Sequence, residues 1–277
     1  VALSTQGQGE REEDVVKIAV LIKQVPSSEA RIRVAADGRS IDPADVEYGV
    51  NVYDEYAMEA ALQTKEKHGG EVVVLALGGP KVEEALRTCL ALGADRAVVL
   101  RDEAFAGGDS LGTARVLSAA LRKEAPDLIL CGKLSIDEEN FAVGPQVAEL
   151  LDLPHASVLS HLEVPDPKHV TAKREIEGGM EELEIELPAV LTANKGLNEP
   201  RYASLKGIMM AKKKPMETLD AAGLGLDPAT VGAQAAQVSI VAMEPPPERS
   251  GGRLFEGAAK DVVPEVVRLL KEEAKVL

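Results

Sequence analysis

EVVVLALGGPKVEEALRTCLALG, residues 71–93, is the stretch from which the fold can be read. EVVVLALG (71–78) is a nearly unbroken apolar run and predicts a strand buried on both faces. Gly78-Gly79-Pro80 turns the chain. Pro80 then opens a helix whose Val82, Ala85, Leu86, Cys89 and Leu90 form one stripe, stopped at Gly93. The same unit recurs outward in both directions. KIAVLIKQV (17–25), residues 97–100 and DLILCG (127–132) read as further buried strands. Helices are expected over 54–67 with Asp54 as N-cap, after a cap at Asp109, and over 145–151. Strands alternating with helices at this spacing require right-handed crossovers, so the fold class is α/β with a doubly wound, mostly parallel sheet.

The pattern changes after Pro154. Residues 155–164, 169–177 and 181–186 alternate polar and apolar positions across turns at PDPK and EGG, which predicts antiparallel hairpin additions. Residues 187–194 are apolar again and are expected to return to the sheet. A basic helical segment, a Gly/Ala-rich stretch (220–237), a linker PPPERSGG (245–252) and an amphipathic helix (260–277) complete the chain. The domain reading is a flexible N-terminal tail over 1–16, a nucleotide-binding α/β domain over 17–219, and a C-terminal arm over 220–277.

Composition excludes several functions. Thirty-one Lys+Arg against 46 Asp+Glu leave a net charge of −15, which disfavours nucleic acid as a bulk partner. With three Phe, four Tyr and no Trp, stacking platforms for bases are not expected either. Cys89 and Cys131 lie in apolar runs without CxxC spacing and read as buried reduced thiols. The four histidines are scattered, so no metal site is expected. No run is long and apolar enough for membrane insertion, and residues 1–14 are polar and acidic, unlike a secretory signal. The expectation is a soluble intracellular protein.

Two stretches could carry chemistry. CGKLSIDEENFAVGPQVAELL (131–151) leaves a strand at Gly132, crosses a polar loop and enters a helix, which is where open α/β sheets bind ligands. Free amides from Asn140 to Gly144 could receive a phosphate, whereas Asp137, Glu138 and Glu139 would repel one through their side chains. Ser135 and Asp137 could bond a ribose or base instead. No GxGxxG fingerprint, GxSxG elbow or singled-out carboxylate pair is present, so nothing recommends a hydrolase. The second stretch is LNEPRYASLKGIMMAKKKP (197–215). Leu205, Ile208 and Met209 share a helical face, with Lys206 and Lys212 to Lys214 around it. An apolar anchor beside a basic patch on an acidic protein suits partner docking.

At these stretches the chain resembles the β subunits of electron transfer flavoproteins over about residues 17 to 275. The resemblance is carried by VLIKQVP (20–26), NVYDEYAMEAAL (51–62), GGPKVEEALRTCLALGADRA (78–97), GKLSID followed by VGP, REIEGG (174–179) and LNEPRYASLKGIMMAKKK (197–214). It implies an adenine-nucleotide alpha-hydrolase-like core and a heterodimer with an α subunit that holds most of the FAD. It further implies electron traffic from acyl-CoA-type dehydrogenases to a quinone oxidoreductase, a structural AMP on this chain, and no catalytic residue here. Such a protein works in the bacterial cytoplasm or, in a eukaryote, the mitochondrial matrix. By position, the implied AMP contacts are Leu21, Asn51, Val52, Tyr53, Asp54, Gly78, and Gly132, Lys133, Leu134, Ser135, Ile136, Asp137, Glu138, Glu139, Asn140, Phe141, Ala142 and Val143. Residues 193–215 would be the recognition loop, with Leu205 as its anchor, Ile208 and Met209 beside it, and Glu175 aiding productive docking of a mobile flavin domain. Two departures stand out. Ala142-Val143-Gly144 replaces a common Gln-Thr-Gly, and residues 137–145 share only VGP with the branch that bifurcates electrons over a second FAD. The alternatives are therefore such a bifurcating subunit, or a universal-stress-type nucleotide-binding protein.

Overall fold

The computed structural model describes residues 16–247 and 251–277. The expected tail over 1–16 lies almost wholly outside the described residues, as does the centre of the expected linker. The chain opens with β1 (Lys17–Leu21), β2 (Gln24–Pro26), β3 (Tyr48–Val50), α1 (Val52–His68), β4 (Glu71–Leu77), α2 (Val82–Leu92) and β5 (Arg96–Leu100). It continues through α3 (Ser110–Glu124), β6 (Leu128–Gly132), α4 (Val143–Leu151), β7 (His155–Asp166), β8 (His169–Ile176), β9 (Gly179–Glu186) and β10 (Ala189–Ala193). Last come α5 (Leu205–Ala211), β11 (Met216–Leu219), the short α6 (Ala221–Leu224) and α7 (Gly232–Ala235), and α8 (Ala259–Glu272).

The main sheet has nine strands in the order β11-β5-β4-β1-β6-β10-β7-β8-β9. Pairings from β11 through β7 are parallel, and β7–β8–β9 form the antiparallel addition. Alternate residues of the central strands enter two separate cores. Ile18, Val20, Val72 and Val74 pack with α1 and α2, whereas Ala19, Leu21, Val73 and Leu75 pack with α3 and α4. That two-sided burial is why these strands are continuously apolar. Cys89 and Cys131 are free and buried, one in each core. Burial pushes both thiols far above the ordinary range.

Several local expectations need correction. The run 17–25 is not one strand: β1 ends at Leu21, and β2 leaves to pair antiparallel with β3. The strand β7 is not purely part of a hairpin, because its first residues pair parallel with β10 while its far side takes β8. Asp54 does not cap α1. The helix starts two residues earlier, Asn51 holds the N-cap position, and the Asp54 side chain turns inward. Pro145 does not open α4 but sits in a first turn begun at Val143, where its missing N–H costs nothing. Asp109 does cap α3, accepting from the Gly112 amide at 2.9 Å.

Strand order reverses beside β1, since β4 lies on one side and β6 on the other. Ligands of open α/β sheets bind at the carboxyl ends of strands flanking such a reversal. The ends of β1 and β6, Leu21 and Gly132, define that place here.

Candidate nucleotide cavity and docking surface

A cavity of about 330 Å³ opens at this crevice. Leu21 closes it from β1, Gly132 and Lys133 from β6, and Asn51 and Asp54 from the start of α1. Leu134, Ser135, Glu138, Asn140, Ala142 and Val143 contribute from the loop into α4.

Asp54 organises the floor. Its Oδ2 accepts from the Lys23 amide and its Oδ1 from the Gly132 amide, both at 2.8 Å, so one carboxyl ties the ends of β1 and β6. Burial pushes its pKa up to about 7 against the pull of those amides. Asn51 does the corresponding work for the loop: its Nδ2 donates to the Leu134 carbonyl at 2.8 Å, and its Oδ1 accepts from the Ile136 amide at 3.2 Å. Gly132 must be glycine, because a Cβ there would lie 2.6 Å from Asp54 Oδ1 and from Tyr53 Cβ.

The acidic loop is neutralised from an unexpected direction. Lys23 Nζ reaches Ser135 Oγ at 3.3 Å, Asp137 Oδ1 at 3.0 Å and Glu138 Oε1 at 3.1 Å. Two of the three carboxylates expected to repel a phosphate are thus paired with a cation. Lys133 Nζ lies 4.9 Å from the Tyr53 ring centre and 5.5 Å from that of Phe141. Glu139 and Phe141 both take left-handed backbone angles, φ 50° and 55°, which turn the loop sharply before α4. Asn140 Oδ1 accepts from the Ala142 amide at 3.2 Å, and no side chain caps the first turn of α4 itself. The first residues of α4, Val143 and Gly144, line the cavity, and the start of a helix is electropositive.

Not every expected contact lines the cavity. Val52 is exposed, and Tyr53, Asp137 and Phe141 act by holding Lys133 or Lys23. Ile136 only donates to Asn51, Glu139 points to solvent, and Gly78 packs against Val82 while Leu77 lines the wall. A whole wall escaped the sequence reading: Phe105, Gly107 and Gly108 from the connection after β5, and Ser110 and Thr113 from the first turn of α3. Its signal was available, since AGGDS follows a strand and precedes a capped helix on the same edge of the sheet.

The second surface is α5. Ser204 caps it, accepting from the Gly207 amide at 3.0 Å. Leu205 is 83% exposed and Met209 71%, with Ile208 and Met210 about half exposed and Tyr202 beside them almost fully so. The helix cannot roll, because Gly207 touches α2: a Cβ there would come 2.3 Å from the Ala91 carbonyl oxygen. Arg87 donates to the Ala211 carbonyl at 2.7 Å from the same side. The expected basic cluster loses one member. Lys214 turns inward, its Nζ donating to the Leu90 and Ala94 carbonyls at 3.0 and 2.5 Å. There it satisfies the C-terminal end of α2, leaving Lys206, Lys212 and Lys213 exposed around the anchor. Glu175 lies elsewhere, exposed on β8 in register with Met180.

The helix α8 presents Val263, Val267 and Leu270 outward and has no buried residue. Among the described residues no helix is long and apolar enough to cross a membrane, and no cluster of His, Cys, Asp or Glu could hold a metal.

Comparison with known proteins gives a consistent result. The family model for the electron transfer flavoprotein domain matches residues 40–224. The chain is 38% identical over 261 residues to the electron transfer flavoprotein subunit beta of Methylophilus methylotrophus, covering 93% of this chain and 98% of that protein. The mouse (Mus musculus) subunit beta is 37% identical over 265 residues, covering 94% and 99%. The caffeyl-CoA reductase-Etf complex subunit CarD of Acetobacterium woodii is 35% identical over 261 residues, covering 93% and 99%.

Proposed function

The chain belongs to the electron transfer flavoprotein family, as a β subunit, and on that premise we propose that it holds a structural AMP and docks a reduced dehydrogenase while an α subunit carries the FAD. The observation that carries this reading is the separation of two differently built sites. One is a cavity of about 330 Å³ at the strand ends, and the other is an exposed apolar anchor on a braced helix.

The cavity fits AMP. About 330 Å³ lies at the small end of ligand-pocket sizes, which suits a mononucleotide better than a dinucleotide. Gly132, Gly107 and Gly108 line it, each where a Cβ would crowd a neighbouring part of the chain. A phosphate would meet the uncapped amides of α4 and the Lys133 ammonium, with Lys23 masking Asp137 and Glu138. Leu21 of β1, Asn51 and Asp54 at the start of α1, Gly132 of β6 and Val143 of α4 would hold AMP there, and it would serve structure and not chemistry.

The FAD of the α subunit supplies the redox chemistry when bound. This chain's part is to bind and orient. Leu205 enters an apolar pocket of an acyl-CoA-type dehydrogenase, and Lys206, Lys212 and Lys213 steer the encounter. Glu175, on the separate hairpin, meets the moving flavin domain. The apolar face of α8 packs on the α subunit as an arm, and the reduced carrier is discharged by a quinone oxidoreductase.

The test is Leu205→Ala in the heterodimer. Losing a leucine from a dry pocket costs about 2 to 4 kcal/mol, or roughly 30- to 1,000-fold in the dehydrogenase KM. Flavin content should stay at the wild-type level, because Leu205 is 83% exposed and lies outside both cores. An unchanged KM, or loss of FAD, refutes the docking role.

A further inference from the structure

Residues 199–204 belong to neither helix nor strand, yet they carry the chain from the sheet to Leu205. Something other than backbone hydrogen bonding must set their path. Arg201 does so through an unusually complete ion-pair arrangement. Its Nε donates to Glu59 Oε2 at 2.7 Å and one terminal nitrogen to Glu59 Oε1 at 3.0 Å. The same side chain reaches Glu66 Oε1 at 2.5 Å and Oε2 at 3.1 Å. Two carboxylates are thus each held in two-point fashion by one guanidinium. The Arg201 backbone amide adds a longer bond to Glu59 Oε2 at 3.3 Å.

Both acids lie on α1. Glu59 is only 4% exposed, so its charge requires a fixed partner. Asn198 ties down the same segment further back, its Nδ2 donating to the Tyr56 carbonyl at 2.9 Å. Together these bonds fasten the approach to the anchor against α1, while Gly207 and Arg87 fasten the helix beyond it against α2. Between the two fastenings Tyr202 and Leu205 project into solvent, 98% and 83% exposed.

We propose that Arg201 is a positioning residue for partner docking: clamped by Glu59 and Glu66, it holds the strand-to-helix segment so that Leu205 leaves the protein in one orientation. The proposal rests on the reading of Leu205 as the docking anchor. An isolated surface ion pair adds little to stability. A planar fork closed on two carboxylates adds geometric definition, which lysine cannot reproduce. Pre-ordering the segment removes an entropic cost that docking would otherwise bear.

The experiment measures KM and kcat of the acyl-CoA dehydrogenase encoded by the same genome, with the purified heterodimer as electron acceptor. Arg201→Lys, Arg201→Ala, Glu66→Gln, Leu205→Ala and the double variant Arg201→Ala/Leu205→Ala are compared, with flavin content and Tm followed in each. Arg201→Ala and Arg201→Lys should raise KM about tenfold, the equivalent of ordering a few side chains, with kcat falling less than KM rises. Glu66→Gln, which keeps the Glu59 pair, should raise it about threefold. In the Leu205→Ala background the arginine substitution should add less than about twofold, since no anchor remains to be positioned. A wild-type KM in both arginine variants overturns the proposal. So does a full tenfold addition on top of Leu205→Ala, which marks an independent effect. Should Arg201→Ala fail to fold, Arg201→Lys and Glu66→Gln decide the matter by the same criterion. If Leu205→Ala alone leaves KM unchanged, the docking reading itself falls. If Leu205→Ala raises KM and the arginine variants do not, only the positioning role falls.

Discussion

Replacing Asp54 by Asn probes the floor of the candidate nucleotide cavity with the smallest possible change in shape. The carboxyl accepts one amide at each oxygen, Lys23 at Oδ2 and Gly132 at Oδ1, both at 2.8 Å. Asparagine has one oxygen, so its amide nitrogen must face one of those N–H groups donor to donor. An orphaned buried N–H costs about 1 to 3 kcal/mol, and the ends of β1 and β6 would separate locally. The same residue gives the wild type a pH signature. Its pKa rises from 3.8 in the unfolded chain to about 7 in the fold, with burial the leading cause. Below the unfolded value both states are protonated and there is no penalty. As pH rises toward the folded value, the unfolded chain ionises more readily, and the fold loses stability by about 1.4 kcal/mol per pH unit. Over the window from 3.8 to about 7 the loss is on the order of 4 kcal/mol. Asp54→Asn removes this titration. The expected result is a flatter stability profile between pH 4 and 7, with a lower stability at the acidic end. The assay is urea denaturation of wild-type and variant heterodimers at fixed concentration across that range. Parallel profiles of equal midpoint would refute the reasoning, since they would mean that Asp54 neither titrates in the window nor ties the strands.

Two glycine substitutions separate the sites from one another. Gly132→Ala places a methyl 2.6 Å from Asp54 Oδ1 and should reduce bound nucleotide per heterodimer, measured on released nucleotide, while the dehydrogenase KM moves little. Gly207→Ala drives a methyl to 2.3 Å from the Ala91 carbonyl and must shift α5, so the dehydrogenase KM should rise at least about tenfold with nucleotide content intact. Equal effects of both variants on both readouts would show that the two sites are not independently built.

Much of the architecture was legible because burial leaves a strong mark on composition. The runs in β1, β4 and β6 are apolar at every position since both sheet faces are covered, and Asp109 announces α3 because a cap must precede a helix. Two misreadings share a cause, that a residue's type does not say where its side chain turns. Asp54 carries the ordinary chemistry of an N-cap but is drawn into the crevice by two strand-end amides. Lys214 looks identical to Lys212 and Lys213, yet the C-terminal carbonyls of α2 capture it alone. The alternation in β7 shows a half-buried strand and is silent on whether its neighbour runs parallel. Lys23 sits far in sequence from the acidic loop that it neutralises, so only the folded chain brings them together. The wall from Phe105 to Thr113 follows a different strand from the loop after Gly132, and only the sheet topology brings the two strand ends to one edge.

The central claim is that this subunit holds a mononucleotide and leaves the flavin to its partner. Mass spectrometry of the nucleotides released from the purified heterodimer tests it most directly. The account predicts one AMP for each β chain and one FAD for each heterodimer. Two FAD and no AMP would contradict it, and would place a second flavin in the cavity at the carboxyl ends of β1 and β6.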